Sequence, residues 1–296
     1  MRLPTWLRQH LAAARALLVF TVAVGVVYPL AVTGIAQLPG LRDKANGSLV
    51  TAAGGRVVGS AIIGQAFTDA GGNPLPQYFQ PRPSAAGDGY DPTATSASNL
   101  GPESVVDTLP DPAVAGDTGK QSLLTQVCAR SKAVGELDGV SGARPFCTPS
   151  GVGAVLAVFG RHTGDGHVTR VVSLNEACPA TAFVATYQGV PVECAMFGED
   201  YAAGDVVPVR GDAPASPAVP ADAVTASGSG LDPGISPAYA RLQVARVAKA
   251  RSVTTDQVLA LVARNTTGRA LGFMGEPWVN VVRLNLDLDT RYPAHG

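Results

Sequence analysis

The chain has 296 residues, 46% of them apolar and only 15% charged, with a formal net charge of -1. That length accommodates a membrane anchor plus one or two domains, and the apolar share suffices for an ordinary core. The near-neutral balance excludes a basic nucleic-acid-binding surface and an acidic tail, while 34 glycines and 23 prolines favour loops and short elements.

Residues 1–15 carry Arg2, Arg8 and Arg15 and no acidic residue, and residues 16–41 contain no charge at all. A helix rises about 1.5 Å per residue, so about 20 residues cross the ~30 Å hydrocarbon core. The run predicts a transmembrane helix over residues 16–38, kinked at Pro29 and stopped by Pro39 and Gly40. Excess arginine before the run keeps residues 1–15 cytoplasmic and sends residues 43–296 outside. Gly34-Ile35-Ala36 also matches the small-x-small pattern of a signal-peptide cleavage site, although the apolar run is longer than such leaders usually carry. Both readings export the main domain.

The first part of that domain spans residues 43–103. Strands are expected at 56–60 and 61–67, with Gly54-Gly55 as a hairpin turn. Residues 71–103 are rich in proline, yet they carry Tyr78, Phe79 and Tyr90, side chains that anchor a loop on a core.

Residues 104–216 read as a β-rich insertion with glycine-spaced apolar runs at 151–159 and 168–174, and short strands are expected within 168–174 and 182–187. All four cysteines, Cys128, Cys147, Cys178 and Cys194, fall inside it. None forms a C-x-x-C pair, so a zinc site is disfavoured, and an even count in an exported region predicts disulfides. Of the three possible connectivities, Cys128–Cys147 with Cys178–Cys194 is preferred because it closes local loops.

The last part spans residues 217–296. Ser236-Pro237 opens a helix, with serine as cap and proline in the first turn. Thr254 and Gln257 form a capping box, with Val253 and Val258 as its hydrophobic staple. Val258, Leu261 and Val262 make an apolar stripe, and Gly268 is expected to end that helix in a left-handed conformation. Val282, Leu284, Leu286 and Leu288 alternate with Arg283, Asn285, Asp287 and Asp289, which predicts a strand with one wet face. The fold class is α+β: one N-terminal transmembrane helix, then a loop-rich extracytoplasmic domain carrying a β-rich, disulfide-stapled insertion.

No catalytic constellation is present in the sequence. The histidines are His10, His162, His167 and His295, and His162 and His167 flank Asp165 in a glycine-rich stretch that reads as a solvated hairpin tip. There is no G-x-S-x-G, H-E-x-x-H, EF-hand or phosphate-loop motif, and Gly228-Ser229-Gly230 lacks the third glycine of a dinucleotide fingerprint. Neither a catalytic residue, nor a metal ligand set, nor a directly bound cofactor is expected. A membrane-anchored hydrolase is disfavoured for that reason. An extracytoplasmic binding module unrelated to transport remains the alternative.

Several long segments resemble the C subunit of the Kdp high-affinity potassium-transporting P-type ATPase. They are Ile63-Gly64-Gln65-Ala66-Phe67, YFQPRPSAAGDGYDPTATSASNLGP at 78–102, TASGSGLDPGISPAYARLQVARVAKAR at 225–251, and GRALGFMGEPWVNVVRLNLDLD at 268–289. Order, spacing and the N-terminal anchor agree with that family, whose members are expected to pass from the second block to the third through a shorter segment. The resemblance implies a subunit without catalysis of its own. Its partners are then a potassium-selecting, channel-like subunit, a P-type subunit that hydrolyses ATP, and membrane lipid, with no nucleic acid. ATP and potassium are handled by the complex. The family is also described as a catalytic chaperone that raises the ATP affinity of the P-type subunit. The Asp-Lys-Thr-Gly signature of the phosphorylated subunit is absent here. Candidate partner-docking residues are Tyr78, Phe79, Arg82, Asn99, Ser229 and Asp232, on loops that otherwise serve as structural turns. In the helix, Gly25, Ala31 and Gly34 offer close approach to another helix.

Overall fold

A computed structural model describes residues 4–52, 54–160 and 166–294. Arg2, His162, Asp165 and His295 lie outside the described residues. The chain divides into two compact units, Met1–Ile62 and Ile63–Gly296.

In the first unit a helical run covers Thr5–Ala36 and is long and apolar enough to cross a membrane, with none of its apolar window buried. It begins earlier than the sequence predicts and consists of α1 (Thr5–Val22), a π-helical turn (Ala23–Val27) and α2 (Tyr28–Ala36). Pro29 has no N–H to donate, and its ring would crowd the carbonyl of Gly25. The irregularity expected at the proline takes the form of the wider π-turn directly before it. A short helix α3 (Arg42–Ala45) leads to the antiparallel hairpin β1 (Leu49–Thr51) and β2 (Val57–Ser60). Gly54 and Gly55 both adopt positive φ, 94° and 81°, in its turn. The strand expected at 61–67 does not form. The backbone there is engaged elsewhere, as where the Gly64 N–H donates to the Leu231 carbonyl at 2.8 Å.

The second unit contains α4 (Leu123–Asp138), the strands β3 (Val155–Phe159), β4 (Arg170–Ala177), β5 (Thr186–Tyr187), β6 (Val190–Ala195) and β7 (Asp205–Pro208), and a 3-10 turn at Ala221–Ala223. There follow β8 (Gly234–Ile235), α5 (Pro237–Ala250), α6 (Thr255–Arg264), β9 (Thr266–Thr267), β10 (Trp278–Asn280) and α7 (Val281–Arg291). The cysteine-bearing stretch builds a mixed sheet of order β5-β6-β4-β3-β7, in which only β4 and β6 run parallel. At the central strands β3 and β4 both faces of this sheet are covered. Val155, Ala157, Val172 and Leu174 form one core cluster, while Leu156, Val158 and Val171 form another. A strand buried on both faces has no polar side, which is why β3 reads as an unbroken apolar run.

Helix α4 has no counterpart in the sequence-based expectation. Its buried face is Thr125, Cys128, Ser131 and Gly135, small and partly polar rather than an apolar stripe. That face lets backbone approach closely: a Cβ on Gly135 would stand 2.6 Å from the Gly142 nitrogen. Ser122 caps its start by accepting from the Thr125 N–H, and Gly139 ends it at φ 68°.

The largest core cluster lies between α5, α6 and α7. It unites Tyr239, Val244 and Val247 with Val258, Leu261, Leu284 and Leu288, together with Phe79. Ser236 caps α5 and the Thr254–Gln257 capping box opens α6, both as expected. Two expectations are corrected. Gly268 is not the end of α6, which stops at Arg264 with Asn265 as cap. Residues 281–291 are helix rather than strand: Val281, Leu284, Asn285 and Leu288 are buried at helical spacing, and Asn280 caps the start by accepting from the Arg283 N–H. The alternation misleads because Leu286 is only half-buried and Asn285, read as wet, points into the core.

Candidate functional site

Segment 76–80 leaves a turn at 76–77 and is held by side chains instead of a neighbouring strand. The Phe79 N–H donates to Asn285 Oδ1 at 2.9 Å, and Asn285 Nδ2 donates to the Phe79 carbonyl at 3.0 Å. Gln243 does the same for Gln80, at 2.6 and 3.1 Å. Arg246 donates to the Pro76 and Tyr78 carbonyls, at 2.7 and 2.9 Å. Arg251, with its side chain fully buried, donates to the Gln77 carbonyl at 2.7 Å and to Asp289 Oδ1 at 2.8 Å. The buried backbone groups of Phe79 and Gln80 need such partners, and here α5 and α7 supply them from side chains.

The segment continues into a loop that meets residues 225–234. Arg82 forms an ion pair with Asp232 at 3.1 Å and reaches the Thr225 and Ala226 carbonyls at 3.4 Å. The Ser84 hydroxyl donates to the Gly230 carbonyl at 2.6 Å, and the Tyr90 hydroxyl to the Arg82 carbonyl at 2.8 Å. Gly230 sits at φ 70°, and a Cβ there would lie 2.7 Å from that of Ala86. Burial, and after it the Asp232 carboxylate, pushes the Tyr90 phenol up. An apolar pocket of about 280 Å³ opens beside this junction, lined among others by Pro81, Arg82, Tyr90, Arg130, Leu137 and Tyr239.

Helix α4 is tied to the same assembly. Arg246 Nε donates to Asp138 Oδ1 at 2.7 Å, with the two side chains 7% and 1% exposed. Burial raises the Asp138 carboxyl above its ordinary value, which Arg246 offsets only in part, and Oδ2 has no partner. Arg130 and Arg144 donate to the Val224 and Val219 carbonyls, at 3.1 and 2.6 Å. Cys128 pairs with Cys147 and Cys178 with Cys194, with Cα–Cα distances of 5.4 and 5.1 Å, the nearest-neighbour connectivity.

The docking candidates thus separate in space. Arg82 and Asp232 are brought together. Tyr78 stacks under Arg251, 4.9 Å from guanidinium to ring centre, and its hydroxyl donates to Asp289 Oδ2 at 3.2 Å. Phe79 is fully buried in the core. Asn99, at φ 52°, and Ser229 are exposed. Sequence reasoning missed Gln243, Arg246, Arg251 and Asn285. Gln243 and Arg246 stand three apart on a predicted helix, hence on one face, which is the one signal that could have singled them out. Among the described residues no group of three or more His, Cys, Asp and Glu side chains could hold a metal.

Known proteins resemble this chain over most of its length. The family model described as KdpC, K+-transporting ATPase, c chain, matches residues 10–108 and 202–290. The potassium-transporting ATPase KdpC subunit of Kineococcus radiotolerans is 39% identical over 293 residues, covering 99% of both chains. That of Mycobacterium tuberculosis is 38% identical over 282 residues, covering 95% of this chain and 98% of the relative. That of a Caulobacter species is 37% identical over 277 residues, covering 94% and 91%. The family model leaves 109–201 unmatched, yet these alignments are too long to omit it, so the cysteine-bearing stretch is shared with relatives of similar length.

Proposed function

The chain belongs to the KdpC family, the c chains of K+-transporting ATPases, and from that membership we propose that it is a non-catalytic subunit needed to assemble and stabilise an ATP-driven, high-affinity potassium uptake pump. Its partners in this reading are a potassium-selecting, channel-like subunit and the P-type subunit that hydrolyses ATP. The part of the Thr5–Ala36 helix after Arg15 lies in the membrane with its N-terminal end in the cytoplasm, as Arg8 and Arg15 in the first turns of that helix favour. Residues 43–296 are then extracytoplasmic, where two disulfides are stable. The family match carries the reading, because it covers both the helix and the segments that build the α5–α7 core.

ATP and potassium bind elsewhere in the complex. An exported domain has no access to a cytoplasmic nucleotide site, so any rise in ATP affinity is a coupling free energy passed through membrane helices. The junction of residues 78–84 with 227–233 is the proposed docking surface. Tyr78, Arg82, Asn99, Ser229 and Asp232 present its outer groups, and Phe79 anchors it from within. Purification of the pump from membranes with and without this chain tests the proposal. Two larger subunits are expected to co-purify with it. Without it, less complex is recovered and more ATP is needed for half-maximal potassium-stimulated hydrolysis. Recovery and ATP dependence that are unchanged by its absence refute the role. Micromolar ATP binding to the purified chain, by calorimetry, refutes the indirect coupling.

A further inference from the structure

The ten residues joining β9 to β10, 268–277, form a stiff hairpin with a bare apolar tip. Ala270 and Met274 exchange backbone hydrogen bonds at 2.9 Å in both directions, and the Gly272 N–H donates to the Arg269 carbonyl at 3.2 Å. Arg269 Nη2 spans the neck to both carboxylate oxygens of Glu276, at 2.9 and 2.7 Å. Leu271 is held at φ 53°, a conformation that branched L residues rarely adopt. This bracing presents Leu271, Phe273 and Met274 at 82%, 70% and 53% exposure. Single exposed apolar residues are ordinary, but three within four positions of one braced turn form a patch that contact with water disfavours.

We propose that this hairpin is a plug that seats in an uncharged, apolar, concave pocket on another protein subunit of the pump. The inference rests on the pump-subunit reading above. Two observations choose the occupant. First, the hairpin lies inside the segment matched by the family model, so its occupant is one that c chains in general meet. The exposed apolar residues Met196 and Phe197 fall in the unmatched stretch. Second, from Asn265 to Val282 the only charged residues are Arg269 and Glu276, and they neutralise each other. A loop that enters a lipid surface pairs its apolar tip with free cations that attract anionic headgroups. The tip offers none, the nearest exposed cations being Arg264 and Arg283 at the hairpin's foot, before β9 and after β10, whereas a Phe and a Met beside an engaged Arg are the composition of a protein interface core.

The test uses the full chain co-expressed with its pump partners, with the affinity tag on a partner. A truncated, well-packed interface anchor weakens binding by about 30-fold or more. Phe273→Ala is expected to lower recovery of this chain by that order, and Leu271→Ala with Met274→Ala to lower it likewise. Leu259→Ala, an exposed apolar position on α6, serves as the control and leaves recovery unchanged. Melting of the purified full-length variants in detergent is expected to match the parent, because more than half of each of these side chains is exposed. A photo-crosslinking amino acid at position 273 is expected to give a protein adduct at subunit mass. A lipid adduct, or no adduct, overturns the proposal, as does unchanged recovery of Phe273→Ala. If the parent chain itself fails to co-purify, the pump-subunit reading fails with it. Parent recovery with an indifferent Phe273→Ala defeats the hairpin inference alone.

Discussion

Gln243 and Gln80 hold each other in both directions, side chain to backbone. The Gln80 N–H donates to Gln243 Oε1 at 2.6 Å and Gln243 Nε2 donates to the Gln80 carbonyl at 3.1 Å. Asn285 repeats the pattern one residue earlier, on Phe79. Both amides are buried, at 0% and 1% exposure, so water does not replace them when they are removed. A buried N–H or C=O left unpaired costs about 1–3 kcal/mol. Gln243→Ala and Asn285→Ala each strand one of each kind, and each is expected to cost about 3 kcal/mol or more. Urea unfolding of the full chain in detergent measures this. A loss below about 1 kcal/mol would show that the segment finds other partners.

The same segment gives a way to separate docking from folding. Phe79 is fully buried, and Phe→Ala at such a site costs about 3–5 kcal/mol. Phe79→Ala is expected to lower melting and pump assembly together. The Arg82–Asp232 pair is 25% and 37% exposed, and such pairs contribute about 0–1 kcal/mol. Asp232→Asn is therefore expected to leave melting nearly unchanged while lowering recovery in the assembled pump. If recovery stays at the parent level, the junction is structural and docking lies elsewhere.

Asp138 provides a pH test. Burial raises its carboxyl above the ordinary value, with the Arg246 charge only partly opposing. A carboxyl raised in the folded state binds its proton more tightly there than in the unfolded chain. The stability it contributes is present below the unfolded value and is lost as pH rises through the folded one. Asp138→Asn removes this titration. The melting temperature of the variant relative to the parent is expected to climb as pH rises from the ordinary aspartate value of about 4, then level off. A relative melting temperature that falls over that window means the Arg246 charge outweighs burial.

Local chemistry made much of the architecture legible. The Thr254–Gln257 box, the Ser236 cap, the Gly54-Gly55 turn and the nearest-neighbour disulfides each depend on a few adjacent residues or on loop closure. The errors arose where tertiary contacts decide. The 281–291 segment alternates like a strand, but its helix buries Asn285 because a distant backbone needs an amide. Helix α4 hides its inward face among small residues, since its packing depends on close backbone approach and not on bulk. For the candidate site the loops were recognisable from their unusual composition. The grip of Gln243, Arg246, Arg251 and Asn285 was not, because the partners are 163 or more positions away along the chain for the Gln243 and Asn285 bonds.

The stretch 109–201 lies outside the family match. In sequence it interrupts the family-like segments, but in space α4 packs against the α5–α7 core through Val127 and Val134. It also supplies Asp138, the only carboxylate paired with the buried Arg246 among the described residues. Replacing 109–201 with a short linker exposes that face of the core and leaves a buried guanidinium without its counter-charge. Breaking one side of a buried pair costs about 3–5 kcal/mol before the lost apolar contacts are counted. A typical domain has about 5–15 kcal/mol in total. The deletion is therefore expected to abolish cooperative melting. Deletion combined with Arg246→Met, which removes the stranded charge and keeps an apolar stem on α5, is expected to recover part of it. Recovery would come at some cost, because Arg246 also pairs the Pro76 and Tyr78 carbonyls. If the simple deletion melts like the parent, α4 covers nothing the core requires, and the stretch is an independent addition.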